Sequence, residues 1–221
     1  MLFKDRTTAG QLLVAELLTY AHRSDVLVLG LPRGGVPVAV EIAQALNAPL
    51  DVLVVRKLGV PHQPELAMGA ICSGGVRIIN QQIIIQADVS DEAIARVAVQ
   101  EGRELERREK LYRGDRPFPD IRGRTVILVD DGIATGATMW AAVAAVRQHQ
   151  PARIVIAVPV AASETYQQLA SIVDEIVCLQ KPQEFYSVGL WYEEFPQITD
   201  EQVHYLLSIA TNYDQPLPVG T

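Results

Sequence analysis

Residues 126–139 read VILVDDGIATGATM. An apolar run ends in two adjacent carboxylates, Asp130 and Asp131. A loop of small residues follows, Gly132-Ile133-Ala134-Thr135-Gly136-Ala137-Thr138, and then an Ala-rich helix. In open parallel sheets, ligands bind beyond the carboxyl ends of the strands. At such an end the loop N–H groups, the Thr hydroxyls and the positive end of the helix dipole form an anion site. The two acids beside it accept hydrogen bonds from neutral hydroxyls. A phosphate joined to a vicinal diol satisfies both halves, which describes a ribose 5-phosphate. Rival motifs fail on spacing. A Walker P-loop needs Lys where Ala137 stands, no GxGxxG fingerprint is present, and the Asp-x-Asp of aspartyl phosphatases would need an acid at Val129.

Other segments could contribute cations or aromatic rings. GLPRGGVPVA at 30–39 places Pro32-Arg33-Gly34-Gly35 after an apolar run and before a helix. The glycine pair permits unusual backbone angles and close approach of a ligand to the main chain. VVRKLG at 54–59 ends an apolar run with Arg56 and Lys57, and RREKLYRG at 107–114 supplies Lys110, Tyr112 and Arg113. FYSVGLWYEEF at 185–195 is aromatic and acidic without a clear period. Each has a plainer alternative: an exposed turn arginine, a solvated strand end, a charged helix face, and aromatic packing near a chain end.

The elements that must position these residues follow from periodicity. The pattern predicts a helix over 8–22 behind a Thr cap, a buried strand in DVLVLGLP, a helix ending near Asn47, and a second buried strand in LDVLVVRK. That strand–helix–strand unit suits a right-handed parallel crossover. A hairpin follows, with its turn at Ser73-Gly74-Gly75, and then a long charged helix from a Ser90 cap to about Tyr112. Alternation resumes with strand 125–129, helix 137–149, strand 153–159, a helix near 163–170, strand 175–179 and a short helix after Thr199. Near-continuous apolar strands predict a sheet covered on both faces. The expected fold is α/β: one domain over 1–221 with a doubly wound, mainly parallel sheet. Its core spans about 24–180, with an inserted hairpin and helix over about 60–122 and a C-terminal hood over about 181–221.

A length of 221 residues allows one full core. The net charge of −7 argues against a general nucleic-acid binder but leaves room for a local basic pocket. Cys72 and Cys178 belong to no CxxC pair, and the four histidines fall in no metal-ligand spacing. The first residues, MLFKDRTTAG, form no apolar leader, and no apolar run reaches membrane-spanning length. A cytoplasmic protein is expected, with no membrane or nucleic-acid partner.

VILVDDGIATGATM also resembles the phosphoribosyl pyrophosphate (PRPP) motif of the type I phosphoribosyltransferases, and the order of elements is similar across most of residues 26–195. The resemblance implies that Asp130 and Asp131 hold the ribose hydroxyls and that Ala134, Thr135, Gly136, Ala137 and Thr138 hold the 5-phosphate. It implies a pyrophosphate loop at Arg33, Gly34 and Gly35, with Arg56 and Lys57 as further pyrophosphate contacts. Asp130, Asp131, Arg33 and Lys57 would then form the catalytic set. Mg²⁺ is the implied cofactor, held largely by substrate oxygens, with Asp130 and Asp131 assisting directly or through water. The segment 107–114 corresponds to a closing loop, with Lys110, Tyr112 and Arg113 as clamp residues. Val188-Gly189 matches a pair in the base-holding hood of purine-salvage members, which puts Tyr186 at the ring-stacking position and Lys181 and Glu193 at the polar edge of the base. Ala134 stands where hypoxanthine-guanine members carry Asp, as it does in adenine-type members, which counts against a 6-oxopurine acceptor. The implied activity is transfer of phosphoribosyl from PRPP to a nitrogen nucleophile, a nucleobase, with release of pyrophosphate, in a protein that could pair as a homodimer. The alternative is a metabolite sensor that keeps the fold without turnover. PRPP synthetase shares a similar motif, but this chain is short for it and shows no ATP-binding half.

Overall fold

A computed structural model describes residues 2–211. In chain order the elements are α1 (Arg6–Leu17), a single 3-10 turn (Leu18–Tyr20), β1 (Val26–Gly30), α2 (Gly35–Leu46), β2 (Leu50–Val52), β3 (Val55–Val60), β4 (Gln63–Cys72) and β5 (Val76–Ile79). They continue with α3 (Gln81–Gln86), α4 (Asp91–Arg113), β6 (Thr125–Val129), α5 (Ala137–Gln148), β7 (Arg153–Val160), α6 (Ser163–Ala170), β8 (Glu175–Gln180) and α7 (Asp200–Thr211). Residues 212–221 of the expected hood lie outside the described residues.

Five strands form a parallel sheet in the order β2-β1-β6-β7-β8. Successive side chains of a strand point to opposite faces, and the two cores divide accordingly. Val26, Val28, Ile127, Val129, Val155 and Ala157 meet α1, α2 and α7, while Leu27, Leu29, Val126, Leu128, Ile154 and Ile156 meet α5 and α6. This two-sided cover explains why β1 and β6 are apolar at every position but one glycine and one threonine. The strand order reverses between β1 and β6. In doubly wound folds that switch point is where a crevice opens beyond the strand ends.

The apolar stretch 50–57 is not one strand. β2 ends at Val52, and Leu53 closes its pairing by donating to the Gly30 carbonyl. The Val54 amide then turns to the Ser73 hydroxyl, and β3 begins a separate antiparallel sheet, β3-β4-β5. Arg56 and Lys57 therefore lie on the inserted sheet, not on the carboxyl edge of the parallel one. Hydrophobic patterning could not separate the two, because both halves of the run are buried on at least one side. The Ser73–Gly75 turn is where it was expected, and Gly74 and Gly75 both adopt positive φ there.

α1 starts two residues early: its cap is Asp5, whose carboxylate accepts from the Thr8 amide, and not a threonine. α4 begins at the Ser90 cap as expected. The C-terminal end of α4 is part of the core. Tyr112 is buried and donates to Asp200 at 2.5 Å, and Arg113 is buried against Asp51, Glu109 and the Val52 carbonyl. These two residues cannot serve as a mobile clamp, because leaving the core would strand the buried Asp51 carboxylate without its cation and take the Tyr112 hydroxyl from Asp200. Lys110, one turn earlier, is exposed. No helix among the described residues is long and apolar enough to cross a membrane.

Candidate active site

Two loops meet at the switch point. The first, between β1 and α2, carries Pro32-Arg33-Gly34-Gly35, and its Pro32–Arg33 peptide bond is cis. The second, between β6 and α5, carries Asp130 to Gly136. They touch so closely that only glycine fits the first. A Cβ on Gly34 would lie 2.0 Å from Asp131 Oδ2, and one on Gly35 would lie 2.5 Å from the Val129 carbonyl oxygen. The glycine pair and the acid pair are thus one packed unit, joined further by the Leu31 amide donating to the Val129 carbonyl.

A pocket of about 190 Å³ opens beside this unit, lined by Asp130, Gly132 to Met139 and Val188. Its floor is the start of α5. Gly136, at positive φ, is the N-cap residue of that helix, and no side chain caps it. None of the hydrogen bonds among the described residues draws on the N–H groups of Ala134 to Thr138. The Ala134 carbonyl is turned away from the pocket function by accepting from Thr165 Oγ1 at 2.7 Å. Open amides at an uncapped helix start are the arrangement that binds phosphate.

The acids are electrostatically unusual. Burial, reinforced by the neighbouring Asp131, raises the Asp130 carboxyl well above the ordinary carboxylate range. Burial also raises Asp131, against the opposing pull of Arg6. Arg6 Nε sits 2.8 Å from Asp131 Oδ2, with both side chains largely buried. Arg6 also donates to the Pro196 carbonyl at 2.8 Å and lies 3.7 Å over the Phe195 ring. The Tyr192 hydroxyl donates to the Asp131 carbonyl at 2.6 Å. One cation therefore faces two acids, and a second positive charge or a set of hydroxyl donors would complete the site. No cluster of three His, Cys, Asp or Glu side chains forms a metal cage among the described residues. A hard cation fits here only as Mg²⁺ usually binds, through one or two carboxylates plus ligand oxygens.

The comparisons with known proteins bear on what this geometry is for. A family model described as "Phosphoribosyl transferase domain" matches residues 7–190. The chain belongs to the phosphoribosyl transferase domain family. Two Mycobacterium tuberculosis proteins, whose names give phosphoribosyl transferase as a provisional activity, are each 46% identical to it over 202 residues. Those residues are 91% of this chain but only 45% of either relative, so the chain spans about half the length of the curated relatives it matches. A crystal structure of a Thermus thermophilus protein is 43% identical, with a TM-score of 0.81 over 94% of this chain and 98% of that one. An Aquifex aeolicus protein at 15% identity and a TM-score of 0.52, over 83% of this chain and 78% of its own, shares the fold.

Within this phosphoribosyl transferase fold, the structure brings Asp130, Asp131, Gly34, Gly35 and residues 134–138 to one place. Arg33 sits at the same loop, 3.8 Å from Asp200. Arg56 and Lys57 do not join them. They line a separate pocket of about 810 Å³ between the inserted sheet and α5, where Arg56 pairs with Glu101 and Lys57 with Glu65. The two pockets share only Ala137 and Thr138.

The hood residues are also dispersed. Tyr186 is 84% exposed and lines a pocket of about 300 Å³ with Leu2, Glu184, Leu190 and Trp191. Lys181 lies 4.4 Å over the Tyr166 ring, and the exposed Glu193 is fixed by its amide, which donates to the Phe3 carbonyl. From the 181–221 segment, the residue that lines the pocket at 132–139 is Val188, of the Val-Gly pair noted in the sequence. A Cβ on Gly132 would lie 2.6 Å from its Cγ1. Sequence reasoning missed Arg6 and Tyr192, the two side chains that hold Asp131. The only local signal was an arginine one residue past an Asp cap, which is too common to single out.

Proposed function

We propose that the chain transfers the 5-phosphoribosyl group from PRPP to a nitrogen nucleophile, a nucleobase, and releases pyrophosphate. The observation that carries this reading is the open amide pocket at 134–138 directly beside a buried, undercompensated acid pair. The first suits a 5-phosphate, and the second suits the ribose hydroxyls. Departure of pyrophosphate builds positive charge on the ribose ring, and a sugar bound beside the loop would meet the acid pair Asp130 and Asp131. The loop amides hold the phosphate end so that C1 and the leaving group keep a fixed position relative to the base. Gly34 and Gly35 pack against the acid loop and so bring the Arg33 loop beside it, where Arg33 would offer the leaving pyrophosphate a guanidinium. Mg²⁺, held by substrate oxygens with Asp130 or Asp131, would neutralise charge on that leaving group. Arg56 and Lys57 could assist only by leaving Glu101 and Glu65. Tyr186, with its ring free, is the stacking candidate for the acceptor base, with Lys181 and Glu193 assigned to the polar edge.

The test is to incubate the purified chain with PRPP, Mg²⁺ and a panel of nucleobases and to follow pyrophosphate. Base-dependent release is expected, weakest for hypoxanthine and guanine because Ala134 supplies no carboxylate. PRPP binding without release for any base would favour a sensor.

A further inference from the structure

Arg6 touches three parts of the molecule at once. It is the first residue of α1, its Nε meets Asp131 Oδ2 at 2.8 Å, and its NH1 donates to the Pro196 carbonyl at 2.8 Å. Its plane covers the Phe195 ring, which in turn packs 5.0 Å from the Tyr192 ring. Tyr192 holds the other end of Asp131 by donating to its carbonyl. On its remaining side, Asp131 Oδ2 occupies the space that a side chain on Gly34 would need. The second acid is therefore gripped from three directions, and Arg6 is the only cation paired with it among the described residues.

An ionised carboxylate offers about four acceptor positions, and Arg6 uses one of them. Another lies against the Asp130 carboxyl, and the remainder can accept from sugar hydroxyls. Without Arg6, two adjacent carboxylates would be left buried with no countercharge, and their repulsion would turn Asp131 away or leave it uncharged. The rest of the pocket would not notice, since the amides of 134–138 make no contact with Arg6. From this arrangement we propose that Arg6 is a positioning residue for ribose recognition: it orients Asp131 as an acceptor for a sugar hydroxyl and ties that orientation to the C-terminal segment 192–196. The inference rests on the PRPP reading above and adds a residue to it. A planar, five-donor guanidinium is needed to make the edge contacts and the ring contact together, whereas a lysine keeps only the charge.

Two probes separate the halves of the site in calorimetry. Inorganic phosphate reads the loop at 134–138 alone, and ribose 5-phosphate reads the loop together with the acids. Arg6→Ala and Arg6→Gln are expected to weaken ribose 5-phosphate at least about tenfold, as for loss of a charged contact, with phosphate changed by less than about twofold. Arg6→Lys is expected to recover ribose 5-phosphate only in part, to between Arg6→Ala and the parent, because the charge returns without the planar contacts to the Pro196 carbonyl and the Phe195 ring. Should Arg6→Ala fail to fold, as judged by its melting curve, Arg6→Gln and Arg6→Lys still decide. Parallel weakening of both probes would mean a loosened fold and overturn the proposal. So would unchanged or tighter ribose 5-phosphate binding in the uncharged variants. If the parent protein binds phosphate but not ribose 5-phosphate, the PRPP reading itself falls, and that outcome is distinct from parent binding that the variants leave untouched.

Discussion

Gly136→Ala probes the loop at 132–138 at its most constrained point. Gly136 has φ +74, and a Cβ there would lie 2.5 Å from Thr165 Cγ2. The left-handed backbone costs about 1–2 kcal/mol for a residue with a side chain. Thr165 cannot simply swing aside, because it is buried and its hydroxyl donates to the Ala134 carbonyl at 2.7 Å. Overpacking of this kind costs about 1–3 kcal/mol. The two effects together predict a loss of about 2–5 kcal/mol in unfolding free energy, or roughly 4–20 °C in Tm for a chain of this size. Urea and thermal melts measure it directly. Thr165→Ser keeps the hydroxyl and removes Cγ2, so the double variant should regain the overpacking share while the backbone share remains. A double-mutant cycle should therefore show favourable coupling of about 1 kcal/mol or more. A single variant within about 0.5 kcal/mol of the parent, or strictly additive effects, would refute this account of the loop.

Three further outcomes are expected. Asp130 has a raised carboxyl, so its contribution to stability is present below the ordinary carboxylate range and is lost as pH rises through its raised value. Asp130→Asn should therefore be more stable than the parent at pH 7–8, with the gap closing towards pH 4 in urea titrations; a gap independent of pH would contradict the burial argument. The same variant, like Asp131→Asn, should lose roughly 1–3 kcal/mol of PRPP affinity by calorimetry, and full affinity in both would remove the acids from the ribose site. Tyr186→Ala should raise the acceptor KM about tenfold, as for loss of base stacking. Its Tm should hold, because the ring is exposed; an unchanged KM would take Tyr186 out of the base site.

Legibility in the sequence tracked how locally each feature is determined. β6, α6 and the start of α5 coincide with the expected spans, because apolar runs, acids and helix starts are written within a few residues of each other. The acid pair and the amide loop were legible for the same reason. The break at Leu53-Val54 was not, since its cause is a hydroxyl nineteen positions away on Ser73. Tyr112 and Arg113, candidates for a clamp or for a charged helix face, are buried and neither, for a similar reason. A charged helix end looks solvated until Asp51 and Asp200, from distant elements, come to pair with it. Arg6 belongs to the same class: its partner is 125 residues away.

The pairing of Phe3 with Tyr192 carries a consequence for the order in which this molecule can assemble. Phe3 exchanges main-chain hydrogen bonds with Trp191 and Glu193, and Lys4 receives one from Glu194. These early residues have no partner until the segment that follows β8 has left the ribosome. β1, in the middle of the sheet, likewise waits for β6 before its second edge is covered. Contacts of such sequence separation form slowly, because a long loop must close before they stabilise anything. A nascent chain stalled between residues 170 and 191 would thus hold the loop at 132–138 while Phe3 and Lys4 lacked their main-chain partners and Asp131 lacked Tyr192, which makes the completed surroundings of the acid pair a late event in synthesis.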